Sequence, residues 1–156
     1  MKKINWFKLL EIVLITELIG VLSSLVSGNI KQTYTSFLKP PFAPPGWIFG
    51  IVWPVLYLLM GIAAYRIYQT AQSPERKKAI TFYWVQLFVN FLWPILFFRF
   101  QQLWISVAVI VLLDLLVFLT TMRFCKRDKA AGYLMLPYLL WILFATYLNI
   151  GIAVLN

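Results

Sequence analysis

Five apolar runs divide the chain, at 6–27, 46–69, 79–98, 103–124 and 130–155. Each has about the 20 residues that a helix needs to cross a hydrocarbon core roughly 30 Å thick. None alternates with the two-residue period of a strand, and all are longer than the ten-residue strands of a membrane barrel. The pattern predicts an all-α integral membrane protein, a bundle of five transmembrane helices forming a single domain over 1–156. Lys2 and Lys3 ahead of the first run also suit the start of a signal peptide. The length of that run, and Glu11 and Glu17 within it, favour a retained helix.

Between the first two runs lies the one long connection, 28–45. Pro40, Pro41, Pro44 and Pro45 stiffen its second half towards polyproline II, and the second helix starts where the prolines end. Such a loop fits either a lid over a site or a rigid connector lying on the membrane surface.

In lipid, apolar side chains face outward at little cost, so polar and aromatic stripes at helical spacing mark the interior. The second helix carries Gly46, Gly50, Trp53, Tyr57, Gly61 and Ala64 on about one face. The third carries Tyr83, Gln86, Asn90, Trp93 or Pro94, and Phe97; the fifth carries Tyr138, Trp141, Ala145 and Asn149. The first adds Glu17, Gly20 and Ser24, and the fourth Asp114, Phe118 and Thr121. This lining suits a flat, aromatic, mostly apolar ligand oriented by a few amides. The same residues also suit plain packing, with Gln86, Asn90 and Asn149 bonding between helices. Trp6, Trp47 and Trp104 fit an interfacial belt.

Glu17 and Asp114 fall near mid-membrane, where a charge costs at least about 2.5–3.5 kcal/mol. They fit a polar cavity or proton path, or a hydrogen-bonded clasp between helices. No intramembrane base is available to pair with them, which favours the clasp for both. The spacing Gly20-xxx-Ser24-xxx-Gly28 allows close helix approach, either at a dimer face or inside the bundle.

Composition narrows the chemistry. The chain is 62% hydrophobic and 12% charged, too apolar for a soluble globule of 156 residues. It has no histidine, one cysteine (Cys125) and five carboxylates. Histidine acid–base catalysis, histidine metal sites and cysteine clusters are thereby excluded from this chain, and no metal site or cofactor is expected. The net charge is +9. With five spans, eleven of the fourteen Lys and Arg residues fall on the N-terminal side of the membrane, against Lys31, Lys39 and Arg99 on the other. That bias predicts a cytoplasmic N-terminus, with the C-terminus and the long first loop outside. It explains the basic charge without nucleic-acid binding.

Three blocks in order then resemble the TspO/MBR family, which includes the tryptophan-rich sensory protein, the translocator protein and the peripheral-type benzodiazepine receptor. The first is Lys39-Pro40-Pro41-Phe42-Ala43-Pro44-Pro45-Gly46-Trp47 with Val52-Trp53-Pro54, Tyr57 and Met60-Gly61. The second is Asn90-Phe91-Leu92-Trp93-Pro94 with Phe97-Phe98. The third is Pro137-Tyr138-Leu139-Leu140-Trp141 with Phe144-Ala145-Thr146-Tyr147-Leu148-Asn149. Coverage runs from about Tyr34 to Asn149, and the first helix agrees in hydropathy alone.

The resemblance implies a five-helix bundle, commonly a homodimer, in a bacterial plasma membrane, with the first long loop acting as a lid over a porphyrin pocket. It implies that Trp53 and Trp141 match tryptophans linked to light-dependent porphyrin breakdown. Tyr57, Asn90, Trp93, Tyr138, Phe144 and Ala145 match pocket positions, with Pro44 and Trp47 as contacts from the lid. Phe42 stands where many members have Trp, which removes one stacking contact. No basic residue follows Tyr147, so a cholesterol-type motif is absent. Without histidine, haem would lack a histidine axial ligand, so metal-free porphyrin is expected to bind at least as well.

The expected function is therefore binding of protoporphyrin-like tetrapyrroles and flat drug-like aromatics, as sensor, scavenger or carrier. The alternatives are a light-dependent porphyrin-degrading enzyme using Trp53 and Trp141, a small transporter of amphipathic compounds using Glu17 or Asp114, and a structural protein with a plugged interior.

Overall fold

The computed structural model describes residues 3–156, so Lys2 of the basic N-terminus lies outside the described residues. Six α-helices follow in order: α1 (Trp6–Val26), α2 (Ile30–Ser36), α3 (Phe49–Tyr68), α4 (Pro74–Pro94), α5 (Leu103–Arg127) and α6 (Lys129–Leu155). A 3-10 turn at Gly46–Ile48 leads into α3, and a π-helical turn at Ile95–Arg99 extends α4. There is no strand among the described residues.

The helix starts follow local chemistry. Side-chain oxygens of Asn5, Asn29, Ser73 and Asp128 accept hydrogen bonds from the backbone amides of Lys8, Gln32, Arg76 and Ala131, at 3.0–3.1 Å. Each satisfies one of the amide donors that a helix leaves unpaired at its N-terminus. Ser73 and Pro74 start α4 five residues before the apolar run begins, because the polar first turn is hidden from a hydropathy reading. The long connection is likewise more than a loop, since Asn29 caps the short helix α2 within it.

Five of the units are long and apolar enough to cross a membrane: Trp6–Val26, Gly46–Tyr68, Pro74–Arg99, Leu103–Arg127 and Lys129–Leu155. The exterior is apolar, with Leu10, Leu14, Leu18, Val111, Leu115 and Leu140 exposed, whereas Thr16, Ser23, Gln86, Asn90, Ser106, Thr120 and Asn149 are buried. That distribution is the reverse of a soluble globule and belongs to a protein whose solvent is lipid. Trp6, Trp47 and Trp104 are all more than 60% exposed. Phe118 also faces outward, 49% exposed, rather than joining the interior of its helix. The buried stripe of α5 runs instead through Ile110, Leu113, Val117, Thr121 and Phe124.

The packing of the helices departs from chain order at α3. α1 packs on α3, α3 on α6, α6 on α5, α5 on α4, and α4 returns to α1. Polar pairs fasten the seams. Thr16 and Tyr83 share a hydroxyl bond of 2.7 Å between α1 and α4, and Ser23 Oγ donates to the Phe91 carbonyl at 2.8 Å. Asn149 of α6 donates to Ser106 Oγ of α5 at 3.0 Å and accepts from the Trp93 indole of α4 at 2.8 Å. Thr146 Oγ1 donates to Asp114 Oδ2 at 2.8 Å, so Asp114 is a clasp between α5 and α6.

Candidate ligand-binding site

A cavity of about 450 Å³ opens between α1, α2, α3, α4 and α6. The 3-10 turn before α3 and the π turn after α4 complete its wall. The π turn lacks the ordinary helical ladder: the Phe100 amide bonds back to the Ile95 carbonyl at 3.1 Å and the Gln102 amide to Leu96 at 2.9 Å. This widened turn brings Phe97 and Phe98 to the cavity.

Aromatic rings dominate the large side chains of the lining. Trp53 is the hub, its ring centroid 5.8 Å from Tyr57, 6.4 Å from Trp93 and 6.4 Å from Tyr138. A second run of rings passes from Tyr34 to Phe49 at 5.0 Å, on to Trp141 at 5.9 Å and then to Phe144 at 5.6 Å. Edge-to-face and offset contacts of this kind each add about 0.5–1.5 kcal/mol beyond area burial. They hold the rings in place before any ligand arrives.

Beneath the rings runs one directed chain of hydrogen bonds. Tyr57 OH donates to Asn90 Oδ1 at 2.7 Å, Asn90 Nδ2 donates to Tyr138 OH at 2.6 Å, and Tyr138 OH donates to Gln86 Oε1 at 2.9 Å. The chain ends with Gln86 Nε2 on the Met60 sulfur at 3.8 Å. Every member is buried, and each hydroxyl hydrogen is committed. The Trp93 N–H is spent on Asn149. Several polar groups of the lining have no partner among the described residues, Ser24 and Lys31 among them. The Trp141 indole N–H is buried without one, and the Glu17 carboxylate on α1 makes no ion pair. Glu17 is therefore not the interhelical clasp that its position suggested.

Of the residues singled out from sequence, Trp53, Tyr57, Asn90, Trp93, Trp141 and Ala145 line the cavity together. Glu17, Gly20 and Ser24 of α1 line it as well. Tyr138 stands one layer behind, fully buried and hydrogen-bonded to Asn90. Phe144 packs on Trp141 and Tyr147 outside the lining. Pro44 acts through its carbonyl, which accepts from Tyr34 OH at 2.7 Å. Trp47 is 68% exposed, because the 3-10 turn puts Gly46 and Phe49 on the cavity and Trp47 outside. Phe42 is also outside, 89% exposed, so the substitution of Trp by Phe there takes nothing from the lining. The stripe reading missed Tyr34, Phe49 and Phe98. Tyr34 sits on α2, inside the stretch read as loop, and no periodicity over seven residues could have placed it.

Close approach explains Gly20. A Cβ there would meet the Tyr57 ring at 2.8 Å or less, so glycine lets α1 lie directly on the ring that anchors the hydrogen-bond chain. Gly20 thus serves close packing inside the bundle, and Ser24 lines the cavity on the same helix.

The proline-rich segment is fastened to the end of α6. Pro40 lies on Gly151, where a Cβ would come within 2.5 Å of its ring. Leu38 and Asn156 exchange two hydrogen bonds of 3.0 and 2.8 Å, and Tyr147 OH donates to the Pro41 carbonyl at 2.8 Å. Lys39 Nζ donates to the Tyr34 and Phe37 carbonyls at 3.0 and 2.8 Å, closing the C-terminus of α2. The burial of Tyr34 against this segment raises its phenol pKa above the ordinary value.

At the opposite end of the bundle Arg66 of α3 grips Asp128 with bonds of 2.9, 3.1 and 3.2 Å. Burial alone would raise the Asp128 carboxyl, but the Ala131 amide and Arg66 outweigh it and hold the group below its ordinary value.

The sequence model of the TspO/MBR family matches residues 12–155. The chain is 40% identical over 153 residues to the tryptophan-rich protein TspO of Archaeoglobus fulgidus, covering 97% of this chain and 99% of that one. It is 38% identical over 125 residues to the tryptophan-rich sensory protein of Cereibacter sphaeroides, 80% of this chain and 77% of that one. With the human translocator protein it shares 31% over 129 residues, 81% of this chain and 76% of that one.

Proposed function

Because the chain belongs to the TspO/MBR family of membrane proteins, we propose that it binds porphyrins and similarly flat aromatic compounds in the cavity between its helices, as a tetrapyrrole sensor, scavenger or carrier. The observation that carries this reading is the cavity itself. Its volume of about 450 Å³ falls in the range of small-molecule sites, and Trp53, Trp93, Trp141, Tyr57 and Phe49 wall it. The rings are already braced by one another, so little side-chain freedom is lost on binding. The reading includes an N-terminus in the cytoplasm, the proline segment outside, and a homodimer.

The test is a titration of purified protein with protoporphyrin IX in the dark, read by tryptophan fluorescence. Saturable one-site quenching that weakens in Trp53→Phe and Trp141→Phe supports the reading. Linear quenching, unchanged in both variants and matched by a soluble tryptophan protein, refutes it. The presence of both indoles on the cavity wall favours one second reading, light-dependent breakdown of the bound porphyrin in air. Illumination of the same samples tests it: porphyrin loss that falls in either variant, while binding persists, marks those indoles as reactants.

A further inference from the structure

The cavity's polar groups are unevenly spent. Tyr57, Asn90, Tyr138 and Gln86 satisfy one another along a chain that begins at the Tyr57 hydroxyl. Trp93 bonds to Asn149, and Thr16 and Tyr83 bond to each other. Glu17 is left over. It is the one acidic residue of the lining, on α1 one turn before Gly20, where that helix lies against Tyr57. Among the described residues no hydrogen bond or ion pair holds its carboxylate, and the ion pair found there is Arg66–Asp128, at the far end of the bundle. Lys31, the one basic residue of the lining, is on α2 and makes no ion pair with Glu17.

A carboxylate at this depth is costly unless something pairs with it, and side chains that tolerate that cost line pathways or bind ligands. Here most of the remaining wall is aromatic and apolar, and the low dielectric strengthens any bond that a ligand makes to Glu17. We infer that Glu17 forms a cation subsite on the α1 wall, so that among flat aromatic ligands of one shape the cavity prefers those carrying a protonated nitrogen. This rests on the reading of the cavity as a site for flat aromatic molecules. A cationic N–H donates to the carboxylate while the ring system lies among Trp53, Trp93 and Trp141. Lys31 gives the cavity its second charged group, so a ligand bearing acids has them beside α2 and its basic or N–H face beside α1.

A matched pair of probes separates the two levels of this argument. 9-Aminoacridine is a cation at neutral pH; acridine has the same three fused rings and is neutral. Both are titrated into wild type and Glu17→Gln in nanodiscs of phosphatidylcholine, whose zwitterionic surface does not concentrate the cation. Wild type is expected to bind 9-aminoacridine about tenfold or more tighter than acridine, the scale of a charge-assisted hydrogen bond. Glu17→Gln is expected to bring the two within about twofold, and thermal unfolding of the variant in the same nanodiscs, read separately, reports that it is folded. Equal binding of the two probes by wild type overturns the cation subsite and leaves the aromatic pocket standing. So does a preference that persists in Glu17→Gln. Saturable binding of neither probe by wild type overturns the pocket reading, and the subsite with it.

Discussion

Replacing Asn90 by leucine tests whether the chain beneath the aromatic rings acts as a unit. Two hydrogen bonds disappear, Tyr57 to Asn90 at 2.7 Å and Asn90 to Tyr138 at 2.6 Å. In a membrane protein each is worth only about 0.6 kcal/mol on average, because the unfolded state in lipid also finds partners. Most of the loss comes from the buried Tyr57 hydroxyl, which is left without its acceptor; a stranded buried donor costs about 1–3 kcal/mol. Tyr138 fares better, since it still donates to Gln86. The single variant should therefore lose roughly 2–4 kcal/mol. Tyr57→Phe alone removes one bond and leaves an amide oxygen unpaired, for about 1 kcal/mol. The double variant has no stranded hydroxyl at Tyr57. Its loss should fall short of the sum by about 2 kcal/mol or more, well above the roughly 0.3–0.5 kcal/mol scatter of independent sites. Equilibrium unfolding in mixed micelles measures all four proteins. Additive losses would refute the chain as a cooperative unit and reduce it to separate contacts.

Other consequences are more local. Gly151→Ala places a methyl about 2.5 Å from the Pro40 ring, so the proline segment must lift from α6 and strain its bonds to Asn156 and Tyr147. A loss of about 1–3 kcal/mol in stability is expected, with faster proteolysis between Phe37 and Ala43; unchanged cleavage rates would show that the segment is not held there. Asp128 is held below its ordinary value of 3.8, so the stability it contributes is present above that pH and is lost as pH falls through the lower folded value. Arg66 is 43% exposed, which limits the ion pair to about 0.2–1 kcal/mol. Asp128→Asn should flatten the acid limb of stability below about pH 4, as thermal unfolding at graded pH would read. Metal-free protoporphyrin should bind at least as tightly as its iron complex, because no histidine is available as an axial ligand; a low-spin bis-nitrogen haem spectrum would contradict this.

The runs of apolar residues determined the membrane solvent, the number of spans and their helical type, because a helix must be about 20 residues long and internally hydrogen-bonded to cross lipid. The same logic made most of the cavity legible. Polar and aromatic residues recur every three to four positions on α3, α4 and α6, and lipid excludes most alternatives to facing inward. That is why Trp53, Tyr57, Asn90, Trp93, Trp141 and Ala145 could be named together from spacing and resemblance, and why they line one cavity.

Tertiary structure decided what periodicity cannot carry. The placing of α3 between α1 and α6 depends on which seams pack, a matter of long-range contact. The proline segment acquired its anchorage on the end of α6 through contacts spanning more than a hundred residues. Tyr138, on the same stripe as Trp141, dropped into a second layer because its hydroxyl is held between Asn90 and Gln86. Asp114 and Glu17 look alike in the sequence, as single acids inside apolar helices. Thr146 stands opposite Asp114 and bonds to it, whereas Glu17 faces the cavity with no partner among the described residues. Hydropathy records that an acid lies within the membrane; what lies across from it depends on how the neighbouring helices are rotated and packed.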